Sequence, residues 1–140
     1  MGRTFIDIDQ EISKEIGGIS DYIQSQGEAA FRQVESKAIQ DIGKRGGLVI
    51  ATGGGAVTIG DNFLPLRQNG RIYQLTQPLD RLATVGRPLS AGGLDSLKEL
   101  EAVRTPMYQA FSQCTIAHHR QAQETVDAIL LDFKAHLGEV

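Results

Sequence analysis

The stretch Leu48-Val49-Ile50-Ala51-Thr52-Gly53-Gly54-Gly55 carries the strongest structural signal in this 140-residue sequence. Its first four residues form a short apolar run, which is typical of a strand buried on both faces of a parallel sheet. The glycine triplet then leaves backbone N–H groups bare at the carboxyl end of that strand, where ligands bind in open α/β sheets. An ordinary turn would also contain such glycines. Other features of the sequence are therefore needed to decide whether the triplet is a ligand-binding loop or a simple turn.

The composition fits one globular domain and excludes several function classes. With 14 basic and 17 acidic residues the net charge is −3, which argues against a general nucleic-acid-binding protein. The sequence has no apolar run long enough to span a bilayer, so we expect no membrane partner. Cys114 is the one cysteine, so no internal disulfide can form, and a cytoplasmic location is favoured.

Strand-like and helix-like segments alternate along the chain. Strands are predicted at residues 4–8, 48–51, 71–75 and 114–117, and helices at 11–16, 19–26, 28–42, 62–68, from Pro78 onward, at 94–111 and near the C-terminus. Strands that alternate with helices indicate a parallel α/β sheet with right-handed connections. Within the helix over 94–111, Pro106 is expected to bend or divide it.

Two helices show apolar periodicity. In the helix over 28–42, apolar side chains recur on one face at Phe31, Val34, Ala38 and Ile42, which predicts that this face is buried. Arg32 and Glu35 stand beside that face, and one interpretation of them is an ordinary surface pair. The C-terminal helix is predicted from an amphipathic face made of Val126, Ile129, Leu130, Phe133 and Leu137.

Polar residues that could carry chemistry stand at the end of the first strand. At strand spacing, Asp7 and Asp9 project to the same side. Two carboxylates in that position suit a metal-bound water or a substrate hydroxyl. The alternative is a strand-to-helix turn in which Asp9 caps the next helix.

A zinc site is a weaker possibility near the fourth strand. Cys114, His118 and His119 are the donor residues there. They lack a fourth ligand and match no usual zinc-finger spacing, so we do not predict zinc.

Five short motifs follow one another between residues 5 and 108. They are Phe5-Ile6-Asp7-Ile8-Asp9, Gly27-Glu28-x-x-Phe31-Arg32-x-x-Glu35, Thr52-Gly53-Gly54-Gly55-Ala56-Val57, Gly86-Arg87-Pro88-Leu89 and Arg104-x-Pro106-x-Tyr108. In this order they resemble the shikimate kinase family, and the resemblance covers nearly the whole chain. It implies an α/β fold of the P-loop kinase type, a three-layer parallel sheet with flanking helices. It also implies one domain over residues 1–140, with a lid over about 80–104.

The resemblance implies a function in aromatic amino acid biosynthesis, the ATP-dependent phosphorylation of the 3-hydroxyl group of shikimate. Asp9 would hydrogen-bond that hydroxyl and accept its proton. Arg32 and Arg104 would clamp the shikimate carboxylate, a role that suits the planar fork of arginine. The glycines at 53–55 would bring backbone N–H groups against the substrate, where a side chain would block the approach.

The resemblance also assigns residues to the phosphate side of the reaction, with ATP and Mg²⁺ as cofactors. Asp7 would hold a water on the magnesium ion. Arg87, on the lid, would close over the transferring phosphate and offset its charge. Arg120 lies near the position of the family's adenine contacts, and its alternative interpretation is an ordinary surface residue. Ala83 stands where the family often has an arginine near adenine.

One family motif is missing from these 140 residues. Shikimate kinases begin with a strand and a phosphate-binding loop, G-x-x-G-x-G-K-[ST] or close to it, and no such loop occurs here. The sequence therefore predicts a domain truncated at its N-terminus that keeps the shikimate-binding half, with ATP binding in doubt. Loss of the family's central strand would expose strand edges through which copies could associate.

Three alternatives remain open at this point. The chain could be a non-catalytic shikimate-binding or regulatory remnant, or a fragment of a fused pathway enzyme. Another small-molecule kinase, such as gluconate kinase, comes third, because the paired arginines and the glycine run argue against it. The partner expected in the first two cases is shikimate itself, with no nucleic acid.

Overall fold

The computed structural model describes residues 2–76, 94–117 and 121–137. Contacts divide the chain into two compact units, residues 1–70 and 71–140. The single domain predicted over residues 1–140 stays a prediction, and each unit is described by itself. The predicted helix from Pro78 and the part of the predicted lid at residues 80–93 lie outside the described residues. None of the helices in the described ranges is long and apolar enough to cross a membrane.

The first unit joins a pair of parallel strands to a set of helices. Its elements are β1 (Thr4–Asp7), α1 (Ile8–Ile16), α2 (Ile19–Gln26), α3 (Glu28–Gly43), β2 (Leu48–Ala51), two 3₁₀ turns (Gly54–Thr58 and Gly60–Asn62) and α4 (Phe63–Arg67). Strand β1 runs parallel to β2 with Phe5 opposite Val49 and Ile6 opposite Ile50. This agrees with the parallel pairing expected from alternating strands and helices.

The core of the first unit is built mainly from α1, α3 and β1. Its buried apolar side chains are Ile6, Ile8, Ile12, Phe31, Ile39, Ile42 and Ala56. On α3 the predicted buried face is confirmed at Phe31 and Ile42, while Val34 and Ala38 are only partly buried. Glu35 lies within this buried face with 1% of its surface exposed. The interpretation of Glu35 as part of a surface pair is therefore wrong.

Strand β2 is not buried on both faces, contrary to the prediction from its apolar run. Val49 is 41% exposed and its cross-strand partner Phe5 is 61% exposed. Side chains alternate between the two faces of a sheet, and only the face that carries Leu48 and Ile50 packs against the core. Association of copies through strand edges stays a prediction.

Helix α3 ends in close contact with α4. The side chains of Gln68 and Asn69 both donate hydrogen bonds to the carbonyl of Gly43, at 3.3 and 3.0 Å. Such bonds satisfy a carbonyl that has no partner within the helix. A Cβ atom on Gly43 would overlap the backbone carbonyl of Pro65. Gly43 is therefore required by packing.

We expect Gly43→Ala to lower the free energy of unfolding by about 1–3 kcal/mol, because overpacking outweighs the better helix propensity of alanine. Urea unfolding followed by circular dichroism measures the change. Gly46→Ala is the matched control, because a Cβ there meets nothing within 4 Å. Equal unfolding midpoints for the two variants would contradict the packing role of Gly43.

The second unit also contains a parallel strand pair. Its described elements are β3 (Tyr73–Thr76), α5 (Leu94–Phe111), β4 (Cys114–Ala117) and α6 (Ala122–Ala135). Strand β3 runs parallel to β4, with Tyr73 opposite Cys114.

Both helices predicted here, over 94–111 and near the C-terminus, are present, and the structure adds detail to each. Pro106 does not divide α5, which continues through it. The Thr105 hydroxyl donates to the Glu101 carbonyl at 2.6 Å in the turn before Pro106. On α6 the predicted apolar face is exposed at both ends, at Val126 (44%) and Leu137 (53%). Leu137 lies beyond the end of α6, so helical periodicity no longer orients it.

A charged cluster ties α6 to the start of β3. The carboxylate of Asp132 accepts hydrogen bonds from Arg71 Nε at 2.6 Å and from the Tyr73 hydroxyl at 2.7 Å. Arg71 Nη2 adds a longer contact of 3.3 Å to the second carboxylate oxygen. These hydrogen bonds favour the charged carboxylate, and they lower the pKa of Asp132 from 3.8 to about 2.

The lowered pKa of Asp132 predicts a loss of stability in acid. The contribution of this carboxylate is complete above its unfolded pKa of 3.8 and is lost as the pH falls through its folded pKa of about 2. Thermal unfolding should therefore show a midpoint that drops across this window, and the drop should be smaller in Asp132→Asn. Asp127→Asn is the control on the same helix, since Asp127 is exposed and accepts a hydrogen bond from Gln123 within that helix. A drop that is unchanged in Asp132→Asn would contradict the assignment.

Candidate functional site

The first strand ends at Asp7, which caps α1. Asp7 Oδ1 accepts hydrogen bonds from the backbone N–H groups of Asp9 and Gln10, at 2.9 and 3.3 Å. The interpretation in which Asp7 and Asp9 share a strand face is therefore wrong. The alternative, a strand-to-helix turn, is confirmed, but the residue that caps the helix is Asp7 and not Asp9. The physical reason is that a carboxylate one residue before a helix satisfies N–H groups that have no partner within it. Asp9 consequently lies in the first turn of α1.

Asp9 lies directly beside the glycine triplet. A Cβ atom on Gly53 would lie 3.2 and 3.3 Å from the two carboxylate oxygens of Asp9, which is closer than side chains normally pack. Burial raises the pKa of Asp9, and the negative charge of Asp7 raises it further, while Arg32 partly offsets both. A carboxylate with a raised pKa is a better proton acceptor than an ordinary aspartate.

Arg32, on α3, is held between two carboxylates. Its Nη1 lies 2.8 Å from Glu35 Oε1 and its Nη2 lies 3.1 Å from Glu28 Oε1. The Phe31 ring lies alongside, with its centroid 5.3 Å from the guanidinium carbon. Burial would lower the pKa of Arg32, but the hydrogen bonds and charges of Glu35 and Glu28 outweigh it and raise the pKa. The guanidinium is therefore charged at any physiological pH.

Gly55 packs directly against the side chain of Arg32. A Cβ atom on Gly55 would overlap the Arg32 guanidinium, so a side chain and the guanidinium cannot occupy this space together. Gly55 lies in the 3₁₀ turn Gly54–Thr58. That turn is held by the Thr58 hydroxyl, which donates to the Gly55 carbonyl at 2.6 Å, and by Asn62, whose Nδ2 donates to the Ala56 carbonyl at 2.9 Å. The glycine triplet thus opens a hydrogen-bonded turn that packs against the charged residues.

The structure brings four sequence-predicted site residues together in the first unit: Asp9, Arg32, Gly53 and Gly55. We call these four residues the Asp9–Arg32 cluster. Gly54 lies between its two glycines.

The cluster is defined by contacts within the first unit, and the other predicted site residues are described separately. Asp7 acts as the cap of α1, and Arg104 lies half-buried on α5 in the second unit. Arg87 and Arg120 lie outside the described residues, as do Ala83, His118 and His119. In the described ranges, no group of three or more His, Cys, Asp or Glu residues could hold a metal ion.

Sequence reasoning missed the role of Glu28 and misjudged that of Glu35. The signal was present, because the two carboxylates flank Arg32 at i−4 and i+3, and helical neighbours at these spacings share a face. The spacing alone does not tell that one of the two is buried.

The cluster has the chemistry to bind a small hydroxylated acid. A confined guanidinium can pair with a carboxylate through parallel N–H groups. A neighbouring aspartate can accept a hydrogen bond from a hydroxyl and then take its proton. The glycines allow the Asp9 carboxylate and the Arg32 guanidinium to lie against the backbone.

Comparisons with known proteins agree on one family. The family model described as shikimate kinase matches residues 1–134. The shikimate kinase of Nitrosomonas europaea is 38% identical over 130 residues, which cover 87% of this chain and 62% of that protein. The shikimate kinase of Caldicellulosiruptor bescii is 41% identical over 112 residues, covering 74% of this chain and 65% of that protein. The chain thus spans less than two thirds of the length of either relative.

Solved structures show the same likeness. Shikimate kinase from Acinetobacter baumannii in complex with shikimate matches with a TM-score of 0.86 and 29% identity, over 97% of this chain and 82% of that one. Shikimate kinase from Aquifex aeolicus matches with a TM-score of 0.82 and 26% identity, over 96% and 83% of the two chains. The α/β fold expected from the sequence is confirmed by these neighbours.

Proposed function

The chain belongs to the shikimate kinase family, and from this premise we propose that its first unit binds shikimate as the acceptor of a phosphoryl group from ATP. The observation that carries the proposal is the Asp9–Arg32 cluster, in which a carboxylate and a guanidinium each meet a glycine that has no room for a side chain. The relatives named above are shikimate kinases. Their names therefore favour a kinase function over the alternative of a non-catalytic remnant.

In the proposed reaction, Arg32 orients the substrate and Asp9 handles the proton. The Arg32 guanidinium pairs with the shikimate carboxylate. Asp9 would accept a hydrogen bond from the reacting hydroxyl and take its proton as the hydroxyl oxygen bonds to the γ-phosphorus of ATP and the bond to the departing ADP breaks. The raised pKa of Asp9, caused chiefly by burial, favours that transfer. The role of Arg104 in binding the carboxylate stays a prediction from the resemblance.

The family implies ATP and Mg²⁺, and the residues present fit the two cofactors unequally. Magnesium prefers carboxylate oxygens and retained waters, so Asp7 fits a metal-bound water through Oδ2, because its Oδ1 already accepts two backbone N–H groups. The 140 residues contain no Gly-Lys-Ser/Thr sequence, so the loop that holds the ATP phosphates in this family is not among them. Arg87 and Arg120 keep their predicted roles in phosphate and nucleotide binding as proposals from the family alone.

Isothermal titration calorimetry with shikimate tests the proposal. We expect saturable heat at millimolar ligand or below. The methyl ester of shikimate should bind at least about tenfold more weakly, because it cannot form the charge-assisted hydrogen bonds of a carboxylate. An absence of heat from a protein that circular dichroism shows to be folded would refute the proposed function.

A further inference from the structure

The two carboxylates that hold Arg32 differ sharply in exposure. Glu35 is 1% exposed and lies 2.8 Å from Nη1, whereas Glu28 is 64% exposed and lies 3.1 Å from Nη2. Removing a partner from a buried charge is costly, whereas exposed ion pairs contribute little to stability. Glu35 is therefore the permanent anchor of the guanidinium, and Glu28 is the contact that can be exchanged.

Charge makes this difference relevant to ligand binding. The guanidinium of Arg32 is surrounded by the carboxylates of Glu28, Glu35 and Asp9. Negative groups thus outnumber the one positive group, and they oppose the entry of an anionic ligand. An incoming carboxylate would meet the least resistance at Nη2, where the present partner is already mostly in water.

We propose that Glu28 is an internal competitor at this site: its carboxylate occupies Arg32 Nη2 until the carboxylate of the ligand displaces it. This inference rests on the proposed function and adds a specificity-determining residue to it. Glu28 keeps the guanidinium oriented in the free protein and is released to solvent on binding. The exchange favours ligands that bring a full carboxylate and disfavours neutral analogues, which cannot replace Glu28.

The first expected effect is on affinity. Glu28→Gln should bind shikimate about two- to fivefold more tightly, because the competing interaction is worth about as much as an exposed ion pair. Benzoate, a simple cyclic carboxylate, should gain by a similar factor. The methyl ester of shikimate should gain nothing.

Glu11→Gln is the matched control. Glu11 is also a helical carboxylate that reaches solvent, with 38% of its side chain exposed, and it pairs with Lys14 at 2.9 Å. Glu11→Gln removes the same charge as Glu28→Gln without removing a partner of Arg32. The affinity of the Glu11→Gln variant for shikimate and for benzoate should therefore equal that of the unchanged protein. Calorimetry measures the dissociation constants of shikimate and of benzoate for each of the two variants and for the unchanged protein.

The outcomes separate this inference from the proposed function. If shikimate binds but Glu28→Gln gives no gain, or if Glu11→Gln or the methyl ester gains equally, the competitor role is overturned and the proposed function stands. A gain with benzoate in the absence of any shikimate binding supports the competitor role and overturns the proposed function. If neither carboxylate binds to the unchanged protein or to Glu28→Gln, both are overturned.

Discussion

Replacement of Arg32 by alanine should weaken shikimate binding by roughly 30- to 1,000-fold, equivalent to about 2–4 kcal/mol. The side chain of Arg32 is only 15% exposed, so the substrate carboxylate would lose a partner in a site from which water is largely excluded. Glu35 would at the same time lose its 2.8 Å contact with Nη1. Removal of the positive charge of Arg32 also makes the site more negative, which opposes an anionic substrate.

Calorimetry on Arg32→Ala measures this effect, with circular dichroism to establish that the variant is folded. Arg32→Lys should bind with intermediate affinity, because lysine keeps the charge but lacks the planar fork. Lys14→Ala removes an exposed cation that pairs with Glu11 on α1 and should leave the affinity unchanged. Affinity within threefold of the unchanged protein in Arg32→Ala would show that the guanidinium does not contact the substrate.

A polypeptide of these 140 residues should transfer phosphate from ATP to shikimate at least about a thousandfold more slowly than a full-length shikimate kinase. Phosphoryl transfer depends almost wholly on positioning and on stabilising the charge of the phosphates. The 140 residues contain no phosphate-binding loop, with its lysine and its metal-binding hydroxyl. Several kcal/mol of transition-state stabilisation would be lost without them.

An assay of ADP release with shikimate, ATP and magnesium measures the rate. Turnover of about one per second, abolished by Asp9→Asn, would show that the loop is not needed. Joining a segment of about thirty residues from a curated relative, the length of a strand, loop and helix, to the N-terminus should raise the rate. If it does not, the family likeness marks ancestry and not present activity.

The sequence predicted elements best where glycines interrupt the chain. Helix α2 and strands β2 and β4 have the bounds expected from the sequence, Ile19–Gln26, Leu48–Ala51 and Cys114–Ala117. Glycines border α2 at both ends, and β2 directly follows Gly47. Glycine is both a poor helix residue and a common terminator. Such signals are local, so they can be read without knowledge of the tertiary structure.

Burial was predicted less well because it depends on tertiary contacts. A glutamate is normally exposed, yet Glu35 is buried because it pairs with Arg32. Strand β2 has the apolar sequence of a fully buried strand, yet Val49 is exposed because only one face of the strand pair meets the core. Neither outcome can be read from periodicity.

The candidate site was predicted in part. The family resemblance named Asp9, Arg32 and the glycines of the triplet, and the structure brings Asp9 and Arg32 together with Gly53 and Gly55. The spacing of Asp7 and Asp9 suggested a shared strand face. In the structure the Asp7 carboxylate caps a helix that begins directly after it, so Asp9 lies in that helix. Local hydrogen bonding of this kind competes with strand geometry and decides where each carboxylate points.

The central claim is that the Asp9–Arg32 cluster binds shikimate, and NMR of the ¹⁵N-labelled protein tests it most directly. Titration with shikimate should shift the backbone amide signals of residues 53–55 and the Arg32 Nε signal together, in a saturable way and with one dissociation constant. Shifts that fail to saturate, or that leave these signals unchanged and appear only at other residues, would contradict the claim.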